Sequence, residues 1–166
     1  MSQITFKGKK VTTYGELPAK GEKAPHFKLI KTDLSTATLE DFKGKRVIMN
    51  IFPSIDTNVC ATSVRNFNEK ATGLKNTVVL CISRDLPFAQ KRFVNDEDLR
   101  NVVNLSDFRE REFGKDYGVE MLDGPLECLL SRVVIVLDEN GKVIHTQQVS
   151  DIGDEPDYFA ALKTLL

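Results

Sequence analysis

The chain has 166 residues, 41% of them hydrophobic and 28% charged, with a formal net charge of −1 at pH 7. That length and apolar content suffice for one domain, residues 1–166, with a sizeable core, and neither a linker nor a low-complexity tract divides it. The near-neutral charge and the lack of Lys/Arg clusters interleaved with aromatics give nucleic-acid binding no support; without a basic-then-apolar leader or a run long enough to span a bilayer, a soluble cytoplasmic protein with no membrane partner is expected.

Ile4–Phe6 and Val11–Thr13 flank the Lys7-Gly8-Lys9-Lys10 turn and predict an N-terminal β-hairpin, followed by a strand over Phe27–Ile30. The apolar run Val47–Phe52 reads as a buried strand. A helix follows whose apolar stripe is Cys60, Val64, Phe67, Ala71 and Leu74, and then a strand over Val78–Ser83. Pro87 starts a helix through Phe93, Val102–Leu105 is a short strand, and Asp107–Tyr117 holds another helix. Arg132–Leu137 and Lys142–Gln147 flank the turn Asp138-Glu139-Asn140-Gly141, and Pro156 starts the last helix.

The segment joining the central strand to its helix, Pro53-Ser54-Ile55-Asp56-Thr57-Asn58-Val59-Cys60, carries the chemistry. A cysteine in the first turn of a helix meets unpaired backbone N–H groups and the positive end of the helix dipole, which favour the thiolate, the nucleophilic form. Pro53 has a fixed φ and no N–H, so it stiffens the loop and covers a thiol without competing for its substrate. Thr57 stands three residues before Cys60. Its hydroxyl either aims at the sulfur, or at an oxygen bound there, or caps the helix, and Asp56 reads as a plain cap.

The three cysteines are too few and too widely spaced for a disulfide framework or a paired zinc site, and there is no CxxC dithiol. His26 and His145 read as ordinary strand residues, since a metal or Cys-His site needs convergent partners that are not apparent. No cofactor or metal is expected. Cys81, within Val78–Ile82, reads as a small buried apolar residue.

Pro53-x-x-x-Thr57-x-x-Cys60 resembles the peroxidatic motif of the peroxiredoxins, and the longer string Asn50–Thr57, Val59–Ala61 and Ser63–Arg65 is similar to their thiol peroxidase branch, the bacterial atypical two-cysteine type. Val78–Ser83, Asp85–Gln90, Tyr117–Val119, Asp123–Leu126, Arg132–Val136 and Glu155–Tyr158 extend the resemblance over nearly the whole chain. It implies an α/β, thioredoxin-like fold with a central mixed sheet flanked by helices, to which the β-α-β unit followed by hairpin and helix also points. It implies a thiol-dependent peroxidase in which Cys60 is the peroxidatic nucleophile, with Thr57 and Pro53 beside it, and Arg132 faces the sulfur as a cation whose donors and charge persist at all working pH values. It further implies hydrogen peroxide and alkyl or lipid hydroperoxides as substrates, a sulfenic acid intermediate, thioredoxin or another thiol as reductant, and a homodimer bordered by Ser106–Arg109.

At one position the chain departs from that family. The resolving cysteine expected after Arg92-Phe93 is Val94, and valine cannot form a disulfide. A natural one-cysteine protein resolved by an external thiol, a variant using another cysteine, and an engineered form all remain open. Cys128 lies four residues before Arg132, within about 15 Å along an extended chain, so it substitutes only if its loop folds back. Two other functions are carried alongside: a redox sensor passing oxidation from Cys60 to a partner protein, and a silent thioredoxin-like binding module. Retention of Pro53, Thr57, Cys60 and Arg132 together argues against the latter.

Overall fold

The computed structural model describes all 166 residues. Strands β1 (Gln3–Phe6) and β2 (Lys9–Thr12) form the N-terminal hairpin. The remaining strands, β3 (Lys28–Lys31), β4 (Thr36–Thr38), β5 (Arg46–Ile51), β6 (Thr77–Ser83), β7 (Val103–Ser106), β8 (Val133–Leu137) and β9 (Val143–Gln148), build one sheet in the order β4-β3-β7-β6-β5-β8-β9. β5, β6 and β7 run parallel, whereas β8 lies antiparallel against β5 and β3 antiparallel against β7. The sheet is mixed, and helices α1 (Asn58–Ala71), α2 (Pro87–Glu97), α3 (Glu112–Asp116) and α4 (Tyr158–Lys163) flank it.

The inner strands read as unbroken apolar runs because both faces are covered. Alternate residues then serve two cores. Met49, Ile51, Leu80, Ile82, Val133 and Ile135 face one side with Phe113 and Tyr117 from the α3 region. Ile48, Val79, Cys81, Val134 and Val136 face the other, where Cys60, Val64 and Phe67 of α1, Phe93 of α2 and Ala161 of α4 pack. Each fully buried Val, Leu, Ile, Phe or Met side chain among them contributes about 1.5–3 kcal/mol of transfer free energy. Cys60 is part of the stripe that glues α1 to the sheet, and this holds its sulfur at a fixed place.

Several boundaries differ from the sequence reading. α2 continues four residues past Phe93, to Glu97, and so includes Val94. The helix expected over Asp107–Tyr117 is confined to Glu112–Asp116. The Asp107 N–H prolongs the β7 ladder to the Ser83 carbonyl at 3.2 Å and its carboxylate pairs with Arg84, which holds the segment out of helical conformation. α4 begins at Tyr158 with Asp157 as N-cap, accepting from the Ala160 N–H at 3.0 Å, so Pro156 precedes the helix by two residues. The short, polar β4 has no apolar alternation to betray it and was not expected. No helix is long and apolar enough to cross a membrane.

Candidate active site

The antiparallel register of β5 and β8 decides which residues meet. Ile51, the last residue of β5, pairs with Val133, the first of β8. The loop leaving β5 and the residue preceding β8 therefore share one edge of the sheet. That residue is Arg132. Its side chain is buried, 2% exposed, and Nη2 donates to Cys60 Sγ at 3.3 Å. Nε and Nη2 also donate to the Ile152 carbonyl, at 2.9 and 2.8 Å. No carboxylate pairs with Arg132, and its Nη1 is buried without a partner.

Cys60 is the third residue of α1 and has no exposed surface. The helix's first backbone bond runs from the Ala61 N–H to the Thr57 carbonyl at 2.9 Å, which leaves the N–H groups of Asn58, Val59 and Cys60 without intrahelical acceptors. The Ser63 hydroxyl donates to the Cys60 carbonyl at 2.7 Å and accepts from Asn50 Nδ2 at 3.1 Å.

Pro53 is buried at the start of the connecting loop. Thr57 occupies the N-cap position in extended conformation, yet its hydroxyl makes no capping bond; it donates to the Ser54 carbonyl at 3.0 Å and closes the turn on the exposed side. Its hydroxyl thus makes a hydrogen bond to neither the sulfur nor the helix. Asp56 is not the cap either: exposed, it pairs with Arg92 of α2 at 2.7 Å.

The loop is held by a residue to which the sequence reading assigned no role. Asp85 accepts from the Ile55 N–H and the Ser54 hydroxyl, both at 2.7 Å, and from the Ser83 hydroxyl at 2.6 Å. One carboxylate thereby fastens the Pro53–Thr57 segment to the end of β6. Ile152 was missed for a different reason: it acts through its backbone carbonyl, which leaves no trace in residue type.

Val94, where the sequence resemblance implies a resolving cysteine, lies inside α2 and packs partly buried against the core that contains Cys60. α2 is clasped to α1 by the Arg65–Glu97 pair, with N–O distances of 3.0 and 2.7 Å, while the Arg65 guanidinium lies 5.5 Å from the Phe93 ring centre. Cys81 is buried and its thiol is pushed up to about 12 by burial. Cys128 is exposed with a left-handed φ of 74°. Its N–H donates to the Met121 carbonyl at 2.9 Å and its carbonyl accepts from Arg84 Nη1, so its backbone is tied at both ends. Arg84 in turn pairs with buried Asp107 at 2.7 Å and with Glu120 at 3.2 Å. In Ser106–Arg109, Ser106 and Asp107 are buried and already engaged, which leaves Phe108 and Arg109 nearest the surface. His145 sits half-buried in β9 and burial holds its imidazole below the ordinary histidine range.

A thioredoxin-like sheet that places a buried helix-start cysteine against a buried, carboxylate-free arginine defines a thiol-based redox protein. Residues 19–162 match the Redoxin family. The chain is 52% identical over 165 residues to the thiol peroxidase of Corynebacterium glutamicum and 50% identical over 165 residues to that of Mycobacterium bovis, covering 99% of each chain in both cases. Among solved structures it superposes on a peroxiredoxin-like protein from Aquifex aeolicus with a TM-score of 0.92 at 36% identity, covering 99% of this chain and 96% of the other. The chain belongs to the Redoxin family, among the peroxiredoxins of the thiol peroxidase type.

Proposed function

We propose that this protein reduces hydrogen peroxide and alkyl or lipid hydroperoxides with Cys60 as the nucleophile. The observation that carries the reading is the 3.3 Å contact between Arg132 Nη2 and Cys60 Sγ, at a helix start and with no carboxylate paired to the cation. The Cys60 thiolate attacks the nearer peroxide oxygen; the S–O bond forms as the O–O bond breaks, and the electron pair leaves on the farther oxygen, which takes a proton to become water or an alcohol. Sulfur is oxidised to the sulfenic acid and the peroxide reduced.

Arg132 stabilises the thiolate and the negative charge developing on the departing oxygen, and its unpartnered Nη1 is the donor free for a peroxide oxygen. Thr57, on the open side of the turn, positions the peroxide once its hydroxyl leaves the Ser54 carbonyl. Pro53 shields the sulfur. Because Cys60 has no exposed surface, a hydroperoxide reaches it only as the packing over the sulfur opens.

A thiol then condenses with the sulfenic acid, expelling water, and a second thiol releases Cys60 as the disulfide forms. With Val94 in α2 and Cys128 held through its backbone, the first of these thiols comes from outside the chain, thioredoxin or another thiol reductant. A cytoplasmic homodimer is the proposed setting. Leu86 and Phe88, 51% and 64% exposed beside Asp85, and the nearby Phe108 supply apolar surface for it. Turnover of hydroperoxide with thioredoxin, with oxidised cysteines mapped by mass spectrometry, tests the reading. Turnover with oxidation confined to Cys60 supports it; mixed disulfides persisting with one partner protein and no thioredoxin turnover favour the sensor function.

A further inference from the structure

Arg132 is aimed by a single neutral group, the Ile152 carbonyl, which takes two of its N–H bonds. Ile152 lies in no helix or strand of the main sheet, so something else must hold its peptide still. Three anchors do so, and all lead to the N-terminal hairpin. The Ile152 N–H donates to the Thr5 carbonyl at 2.9 Å, while the Thr5 N–H donates to the Ser150 carbonyl at 2.8 Å. The Ile152 side chain is buried in a small core of its own with Ile4, Val11 and Met121.

The third anchor is the Asp151 carboxylate. Oδ2 accepts from the Thr5 hydroxyl at 2.7 Å and the Gly8 N–H at 3.1 Å, and Oδ1 accepts from the Gly153 N–H at 2.9 Å. Gly8 and Lys7 have positive φ, and this turns the hairpin tip so that its N–H groups face that carboxylate. The carboxylate therefore grips the hairpin on one side of Ile152 and the chain just beyond Ile152 on the other. A carboxylate placed directly on Arg132 would fix the guanidinium equally well but would neutralise the charge needed at the sulfur. Moving the anion one peptide away keeps the orientation and leaves the positive charge intact.

We propose that Asp151, with Thr5, is a positioning residue for Arg132: the N-terminal hairpin sets the Ile152 carbonyl, and that carbonyl sets the guanidinium against Cys60. The inference rests on the reading of Arg132 as the cation acting at Cys60. Misplacing a reacting or stabilising group by about 1 Å can cost up to about a hundredfold in rate.

The test is a mutant cycle on the second-order rate constant for oxidation of the reduced protein by hydrogen peroxide, followed by stopped flow. Asp151→Ala should slow the parent about tenfold yet change the rate less than about twofold in an Arg132→Met background, where no guanidinium remains to be misplaced. Thr5→Val, a milder change should Asp151→Ala fold poorly, should show the same dependence, and Thr5→Ser should restore the parent rate. Asp123→Ala removes a comparable 2.8 Å bond to the same hairpin, at the Thr12 N–H, without touching Ile152, and should leave the rate unchanged. Equal slowing by Asp151→Ala in both backgrounds, or by Asp123→Ala, would overturn the proposal, as would an unaltered rate in Asp151→Ala and Thr5→Val. If Arg132→Met itself reacts at the parent rate, the site reading fails and the hairpin role with it; the two failures differ in which variant is silent.

Discussion

Arg132→Met separates the work of the guanidinium at the sulfur from its part in the fold. The cation lies 3.3 Å from Sγ, and a unit charge pair at that distance is worth about 5 kcal/mol at an effective dielectric of about 20. Desolvation of a thiolate with no exposed surface offsets part of this, so the loss on truncation should be nearer that of a buried transition-state donor, about 2.7–4 kcal/mol or 10²–10³ in rate. Stability should move far less. The Ile152 carbonyl loses both its donors, at a cost of about 1–3 kcal/mol, offset in part because an apolar side chain avoids the desolvation of a buried cation that already had one unpartnered nitrogen. Thermal unfolding should therefore shift by a few degrees while the stopped-flow rate constant for hydrogen peroxide falls at least about a hundredfold. Arg132→Lys should fall between, because one ammonium cannot meet Sγ and Ile152 together with the same planar donors. Parent-like rate constants in both variants would show that this arginine is structural.

Cys60→Ser should abolish peroxide consumption, whereas Cys81→Ser should retain a single-turnover reaction, since the Cys81 thiol, pushed up to about 12 by burial, stays protonated; equal loss in the two would refute the assignment of the nucleophile. Peroxide-treated protein without added thiol should accumulate Cys60 as sulfenic and then sulfinic acid by mass spectrometry, and Val94→Cys should introduce an internal disulfide that protects it. A rapid Cys60–Cys128 disulfide in the parent would instead make Cys128 the resolving residue. The Asp151 carboxyl is held at about 2 by the Thr5 hydroxyl and by the N–H groups of Gly153, Gly8 and Lys7, so its contribution to stability is full above its ordinary value of 3.8 and is lost as pH falls through 2. The stability gap between the parent and Asp151→Asn in urea titrations should accordingly be flat above about pH 5 and close toward pH 2; a constant gap down to pH 2 would show that the charge is idle.

What was legible in the sequence follows from what periodicity and residue type can encode. The long apolar strands and the stripe of α1 announce themselves, and with them the placing of Cys60 at a helix start. Arg132 was legible because a charge at the head of Val133–Val136 is anomalous. β4 was not, being only three residues with no apolar alternation, although it pairs locally with β3; nor were the limits of α3, since the Arg84–Asp107 pair, made between residues distant in sequence, keeps residues 107–111 from joining the helix. The Thr57 hydroxyl could be placed within reach of the sulfur by spacing, but whether it turns inward or to Ser54 is decided by the local turn. Asp85 stood in plain view inside a matching stretch, yet its partners at Ser54 and Ile55 lie thirty or more residues away and become visible only in the folded chain.

Holding the arginine by the Ile152 carbonyl also shapes how this site tolerates change. Every amino acid carries that carbonyl, so no substitution at residue 152 can delete the acceptor, and any apolar side chain that fills the small core beneath the hairpin should keep it in place. Length is another matter. One residue gained or lost between Val149, whose N–H is bonded to the Arg132 carbonyl, and Gly153, whose N–H is bonded to Asp151, would carry the acceptor away from the guanidinium although every side chain named above remained. The segment can drift in composition but not in register, and its vulnerability lies in insertions and deletions.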